Sequence, residues 1–388
     1  MPKRRGSRLT SRLRVALCHD WLVGMRGGER VLEVLCRRFP DAPIYTLVSH
    51  PSALTTTIRE HEIRESLLRR LPAATTKYRL YLPLMPAAME AFRPVDADLV
   101  LSTSHCVAKG LRVRPGARHL CYCFTPMRYA WLFFEEYFGR NPVRRMLLKP
   151  VLAGLRRWDR LSARRVDMFV AISQHVRDRI RRFYGRDAEV VYPPVDTDFW
   201  TPGTGVSGEY DLVVSAMVPY KRVDLVVNAY NRSGRQLKVV GSGPLLDILT
   251  EGARSNIEFL GWVGNDELRE LYRGCRCLVF PGEEDFGLIP VEVQACGRPV
   301  VALDRGGATE TVVNGLTGCL FAHQTCDSLN EAVERCHCAS WDAAAIRLNA
   351  ERFRTERFLA EMEQCIESCL VGVLDRNASL PGSDTGKS

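Results

Sequence analysis

The chain has 388 residues, of which 46% are hydrophobic and 26% charged, the balance of a globular protein of two domains at roughly 100–200 residues each. Whole-chain disorder, collagen and coiled coil are excluded, and no run approaches the ~18 consecutive apolar residues that span a bilayer. The net charge of +9 is concentrated: residues 1–14 hold six Lys/Arg and no acid, residues 140–186 hold fourteen against three Asp, and the remainder is net acidic.

Residues 1–13 read as a basic arm leading into a short strand, Arg14–Cys18; together they are too short and too polar for a signal sequence. Without an export signal, the fourteen cysteines read as reduced thiols of a cytosolic protein. A glycine loop, Gly24–Gly28, precedes a helix over Glu29–Phe39 with Val31, Leu32, Leu35 and Phe39 on one face. Strands follow at Asp98–Ser102, His119–Phe124 and Asp167–Ile172, and Ser173 stands where an N-cap is expected for a helix over Gln174–Phe183. Tyr192–Gly203 holds three prolines and reads as a linker and hinge.

Beyond it the alternation is regular. Strands are expected at Tyr210–Ser215, Leu237–Val240, Ile257–Leu260, Cys277–Phe280 and Pro299–Ala302. Helices are expected at Val223–Tyr230, from Pro244, and at Asp266–Tyr272, Leu288–Cys296, Asp342–Glu351 and Phe358–Leu370. Strands alternating with helices predict an α/β fold with parallel, doubly wound sheets. The expected division is an arm at 1–13, a first Rossmann-like domain at 14–195, and a second at 196–350. A closing helix at 351–374 and a disordered tail at 375–388 complete it. Two such domains set a cleft between the carboxyl edges of two sheets, where ligands bind in this class of fold.

Several strings bear on chemistry. Gly27-Gly28-Glu29 and Gly241-Ser242-Gly243-Pro244 both follow a strand and open a helix, an arrangement that brings backbone amides up to a phosphate or merely makes a tight turn. Asp96/Asp98 and Asp196/Asp198 have the spacing of a cation site but sit in polar turns, and solvated turns are the expected reading. Cys121/Cys123, Cys275/Cys277 and Cys336/Cys338 lack paired zinc spacing; convergence of Cys336, His337, Cys338 and Cys365 is the minor alternative to small buried thiols. No G-x-S-x-G elbow occurs. The strongest string runs from Phe280 to Ala302. Glu284 lies in a loop after a strand, and Glu292 about one turn into the next helix. Both can face the strand-end cleft beside the amides of Phe286, Gly287 and Leu288. Carboxylates accept sugar hydroxyls, and helix-start amides bind anionic oxygens.

This string resembles the E-x₇-E region of the family 4 glycosyltransferases, retaining nucleotide-sugar enzymes of the two-domain GT-B fold. The likeness extends to Ala16-Leu-Cys-His-Asp-Trp-Leu22, Arg26-Gly-Gly-Glu-Arg30, Val218-Pro-Tyr-Lys-Arg222 and Gly306-Gly-Ala-Thr-Glu310. Ser104–Gly110, Thr125–Trp131 and Val191–Asp196 resemble a subgroup of O-antigen and exopolysaccharide mannosyltransferases. The resemblance implies that Glu284 meets the donor hexose and Glu292 the ribose. It further implies that Lys221, with Arg222, neutralises the diphosphate, and that Gly27 and Gly28 lie against the donor phosphate or acceptor. Gly243 falls on the donor side, and His105 faces the reacting sugar or serves as a structural hydrogen bonder. Two departures stand out: Ala216 replaces an arginine found five residues before the lysine, and Phe124 and Leu132 replace a histidine and an aspartate, for which Asp20 and Glu135 are possible substitutes.

The resemblance thus implies hexose transfer, with mannose from GDP-mannose as the donor group, to a lipid-linked or glycan acceptor. The leaving phosphate would itself take the acceptor's proton, without a metal or other cofactor. A UDP-sugar transferase or a nucleotide-sugar epimerase shares the fold. A non-catalytic membrane or nucleic-acid binder would explain the basic segments but not Glu284, Glu292 and Lys221 together; no nucleic-acid partner is expected. A lipid-linked acceptor and the basic segments imply a peripheral location on an anionic membrane face, on the cytoplasmic side.

Overall fold

A computed structural model describes residues 13–132, 142–204 and 208–378, with backbone only at 142–145 and 372–378. The arm up to residue 12, Glu135 and residues 379–388 lie outside the described residues. Within them the chain forms two compact units. The first comprises 1–172, 176–191 and 359–388; the second comprises 173–175 and 192–358.

The first unit is built on seven parallel strands: β1 (Val15–His19), β2 (Ile44–Thr46), β3 (Ile63–Glu65), β4 (Leu99–Ser104), β5 (Arg118–Cys123), β6 (Met168–Ala171) and β7 (Glu189–Val190), in the order β3-β2-β1-β4-β5-β6-β7. Helices α1 (Gly27–Arg38), α2 (Pro142–Ala163) and α3 (Gln174–Tyr184) accompany them. Strands β1 and β4 are buried along their whole length, apolar where they begin and polar at their carboxyl ends, at His19 and at Ser102–Ser104. β2 and β3 have only three residues each, too few for a period-2 pattern to register.

Two strings singled out by resemblance turn out to be joined by α2. Its Asp159, fully buried, pairs with the ammonium of Lys109 and accepts from Trp131 Nε1 at 2.7 Å. Gly110 is a glycine because a Cβ there would stand 2.5 Å from the Trp158 ring. Met127, Tyr129 and Ala130 are likewise core. Asp96 and Asp98 are spent on Arg14 and Arg114 at 3.0 Å, as solvated turn residues would be.

The second unit has six parallel strands: β8 (Asp211–Val214), β9 (Leu237–Val240), β10 (Ile257–Gly261), β11 (Leu278–Phe280), β12 (Val300–Leu303) and β13 (Gly318–Phe321), in the order β10-β9-β8-β11-β12-β13. Its longer helices are α4 (Val223–Ser233), α5 (Asn265–Gly274), α6 (Leu288–Ala295), α7 (Cys326–Cys338) and α8 (Ala343–Glu351). β13 escapes a propensity reading because it lacks β-branched residues and opens on Gly318. That glycine is obligatory, since a Cβ would lie 1.9 Å from the Val300 carbonyl oxygen.

Three expectations change. The Pro-rich stretch from Tyr192 is not a free hinge but part of the second unit: Val195 N donates to Phe353 O at 2.8 Å, Arg347 donates to Trp200 O, and Trp200 is buried. Burial of Val195 and Trp200 outweighs the chain-breaking effect of the prolines. The division therefore falls at 191/192 rather than 195/196. The last helix, α9 (Thr355–Ala378), runs through the start of the expected tail, and from residue 359 it packs with the first unit, where Arg38 meets Glu363 at 2.8 Å. All fourteen cysteines are free thiols, Cys336 and Cys365 buried and Cys338 exposed.

Candidate active site

In the second unit the loops at the carboxyl ends of β8 and β11, neighbours in the sheet, carry the expected charged residues. After β8 the chain makes a 3₁₀ turn at Pro219–Lys221. Arg222 follows in the left-handed region, at φ 56°, a conformation non-glycine residues rarely hold. The ammonium of Lys221 is ion-paired with the Glu284 carboxylate, and both side chains keep partial exposure. A small basic and acidic pair beside open solvent can be parted by a ligand that offers phosphate to one and hydroxyls to the other.

The β11 loop is shaped by close backbone contacts. Gly287 caps α6 at φ 87°. A Cβ on Gly306 would stand 2.4 Å from Glu284 O, and one on Gly307 would stand 2.2 Å from Phe286 Cα. Gly307 N also donates to Glu284 O at 2.7 Å. The Gly306-Gly307 pair therefore lets the β12 loop press on residues 284–286 and hold Glu284 in place. Glu310, four residues from Gly306, accepts from the amides of Gln174 and His175.

Glu292 sits inside the first turns of α6, nearly buried, and accepts from the buried Tyr272 hydroxyl at 3.0 Å. Phe286 turns its ring into the core against Tyr192 and Phe353, so only its backbone can serve a ligand. Leu288 opens α6, whose first amides have no partner within the helix. Gly243 makes its close approach to protein: a Cβ would lie 2.6 Å from Met217 O. It thus braces the segment leading to Lys221. Arg222 does not stand in for the arginine replaced by Ala216 in any simple way, because its guanidinium is held by Asp224 at 3.2 Å and by Gln324 at 3.2 Å.

The first unit carries a second polar group at the ends of β1 and β4. Asp20, fully buried, accepts from the amides of His105, Cys106, Val107 and Ala108 at 2.6–3.0 Å and pairs with His105 Nδ1 at 3.0 Å. Burial pushes the Asp20 carboxyl up, but the charge and hydrogen bonds of His105 outweigh it and hold the group well below the usual range. A carboxylate so fully used cannot also bind an acceptor, which removes Asp20 as a substitute for the missing aspartate. Its role is to fix the His105 imidazole, whose side chain stays partly exposed.

His19 was not singled out in the sequence. It ends β1, and its Nδ1 donates to Thr103 Oγ1 at 2.7 Å, because that hydroxyl spends its own proton on Cys18 O. Its Nε2 is buried with no hydrogen-bond partner, 3.9 Å from Glu29 Oε1. Burial, against the pull of Glu29 and Asp20, lowers its pKa and favours the neutral ring. Gly28 sits over this ring and Phe124; a Cβ there would come within 3.2 Å of the phenyl edge. Gly27 opens α1 beside it.

The expected residues thus fall into two groups. Lys221, Arg222, Gly243, Glu284, Phe286, Gly287, Leu288 and Glu292 belong to the second unit, and Gly27, Gly28 and His105 to the first.

Comparison with known proteins matches both units. Residues 25–199 match the model for Glycosyltransferase Family 4, and residues 210–338 match that for Glycosyl transferases group 1. The chain is 30% identical over 198 residues to the GDP-mannose-dependent alpha-(1-6)-phosphatidylinositol monomannoside mannosyltransferase of Mycobacterium tuberculosis, covering 43% of this chain and 51% of that protein. It is 30% identical over 190 residues to the D-inositol 3-phosphate glycosyltransferase of Mycolicibacterium smegmatis, covering 42% of each. The chain spans about half the length of the curated relatives it matches. Among solved structures, Anabaena HepE in complex with UDP superposes with a TM-score of 0.68 at 16% identity, over 91% of this chain and 100% of that one. At that identity the likeness is one of fold, and the fold is GT-B. Each unit thus carries a match to a glycosyltransferase family model, on a chain whose fold is GT-B.

Proposed function

We propose that the protein is a retaining glycosyltransferase that moves a hexose, mannose from GDP-mannose, onto a lipid-linked or glycan acceptor in cell-surface glycan synthesis. The observation that carries this reading is the contact between Lys221 and Glu284 on adjacent strand-end loops. The lysine suits a diphosphate and the carboxylate suits the hydroxyls of the sugar attached to it. Glu292 takes the ribose hydroxyls. As the bond to the leaving phosphate breaks, charge grows on its oxygens. A fixed cation and helix-start amides stabilise that charge most effectively where it develops. The leaving oxygen takes the acceptor's proton on the same face, so the reading requires neither a dedicated base nor a metal at the diphosphate. The identity to a GDP-mannose-dependent relative supports the donor.

A thermal-shift screen against GDP- and UDP-sugars tests the donor, because a ligand bound only by the folded chain raises its Tm. GDP-mannose is expected to give the largest shift, and the product's anomeric configuration, read by NMR, is expected to match the donor's. An inverted product, or a larger shift with a UDP-sugar, would sink the corresponding part of the proposal.

The same reading includes docking on an anionic membrane. Among the described residues no helix is long and apolar enough to cross one. Helix α2 supports docking instead: Leu152 and Leu155 are buried, whereas Met146 and Leu147 are 63% and 67% exposed and Val151 is 37% exposed, among Lys149, Arg156, Arg157 and Arg160. Apolar side chains among basic ones favour the lipid interface, each basic residue adding about 1 kcal/mol near anionic headgroups. Flotation with anionic but not neutral vesicles is expected, weakened by salt and by the double variant Met146→Asp/Leu147→Asp. Equal binding to both vesicle types at low salt is the contrary result.

A further inference from the structure

We propose that Asp211, Cys277 and His337 form a binding site for a divalent cation of the zinc class, at the edge of the second unit's sheet opposite its strand-end loops. Asp211 is the first residue of β8, Cys277 immediately precedes β11, and His337 lies at the end of α7. One carboxylate oxygen, Asp211 Oδ1, accepts from both Cys277 Sγ at 3.1 Å and His337 Nε2 at 2.8 Å. The three ligand atoms all lie within 4.8 Å of one another. Tetrahedral zinc with nitrogen, sulfur and oxygen ligands sets its donors about 3.3–3.8 Å apart, so a cation fits the cluster with shifts of under about 1 Å.

The donor set is apt in kind as well as in spacing. Thiolate, imidazole and carboxylate together suit zinc or cobalt rather than magnesium or calcium, which prefer oxygen alone. On binding, the Cys277 thiol proton leaves to solvent, and the proton that His337 Nε2 donates to Asp211 is also given up to solvent, the neutral ring holding one proton on Nδ1, so that Nε2 is free to ligate. The carboxylate and the thiolate then balance the two charges of the ion, and a buried neutral site results.

The surroundings are those of a metal centre. The Tyr230 hydroxyl donates to Asp211 Oδ2 at 2.6 Å, leaving Oδ1 for the ion. Such an outer hydrogen bond orients a ligating carboxylate. Asp211 and Cys277 are buried, while His337 keeps partial exposure and offers a path for entry. The thiol of Cys336 lies beside that of Cys277, and a water would complete a tetrahedral set of four. The plain alternative is a hydrogen-bonded cluster that joins β8, β11 and α7 with protons alone. The two differ in whether the cluster takes up metal.

The test uses the full chain, stripped by chelator, kept reduced, and titrated with Co²⁺. One equivalent is expected to give a thiolate-to-cobalt absorption in the near ultraviolet with visible ligand-field bands, which Zn²⁺ abolishes by displacement. Cys277→Ser should lose the thiolate absorption and weaken Co²⁺ binding at least about tenfold. His337→Gln should weaken binding similarly while keeping that absorption; it changes a partly exposed helix-end residue, so it remains informative if Cys277→Ser does not fold. Tyr230→Phe should keep one site and weaken it about tenfold. No thiolate band at one equivalent overturns the proposal, as does binding within twofold of wild type in both Cys277→Ser and His337→Gln.

Discussion

Glu284→Gln is expected to lower kcat about 100-fold or more while leaving affinity for free GDP equal to or better than wild type. The first half follows from the role proposed for Glu284: a carboxylate beside the reacting sugar would act where charge develops, and losing an interaction made mainly in the transition state appears in kcat. The second half follows from the ion pair. In the free protein Glu284 occupies the ammonium of Lys221, so a nucleotide diphosphate must displace the carboxylate. Glutamine leaves Lys221 unopposed. Lys221→Ala should damage both kcat and KM, because it removes the cation and leaves Glu284 to repel the phosphates. Glu292→Gln should raise KM and the Kd for GDP about tenfold or more, the range of a charge-assisted hydrogen bond worth about 1.5–3 kcal/mol, with kcat little changed. Steady-state kinetics and nucleotide calorimetry on the three variants separate these patterns. Full kcat in Glu284→Gln would reduce that carboxylate to a partner for Lys221, and unchanged GDP affinity in Glu292→Gln would remove the ribose assignment.

The parts of this arrangement legible in the sequence were those encoded locally. Leu237–Val240 is a short run, apolar but for Lys238, that ends at a glycine loop, and it is β9 residue for residue. The spacing of Glu284 and Glu292 across a strand–loop–helix junction follows from β11 and α6, which the apolar pattern predicts within a residue or two. What was not legible depends on contacts distant in the chain. Asp20 reaches amides 85–88 residues away, Lys221 and Glu284 meet only because β8 and β11 are neighbours, and Asp211 meets His337 126 residues on. No local signal marks His19 either: its unusual state comes from Thr103 on the adjacent strand and from Gly28 closing over the ring. Tertiary packing likewise overrode the prolines after Tyr192, whose chain-breaking character is real but whose neighbours Val195 and Trp200 are core.

Asp20→Asn is expected to destabilise the first unit by about 2–6 kcal/mol, more than most single substitutions. Each carboxylate oxygen has its own pair of donors: Oδ1 accepts from the amides of Val107 and Ala108, and Oδ2 from those of His105 and Cys106. Whichever way an asparagine is turned, its NH₂ faces two N–H groups, and each buried donor left without an acceptor costs about 1–3 kcal/mol. His105→Gln is the control, since it removes one contact of five at a partly exposed side chain, and it should cost about 1 kcal/mol. The pH dependence has a definite sign. The folded carboxyl titrates below its unfolded value of about 3.9, so its stabilising effect is complete above that value and is lost as pH falls toward the folded one. Wild type should therefore lose stability below about pH 4 more steeply than Asp20→Asn, which has no proton to take up there. Thermal unfolding of both proteins between neutral and acid pH makes the comparison. If Asp20→Asn unfolds within 1 kcal/mol of wild type, or if the acid slopes coincide, the turn that carries His105 is held by something other than this carboxylate.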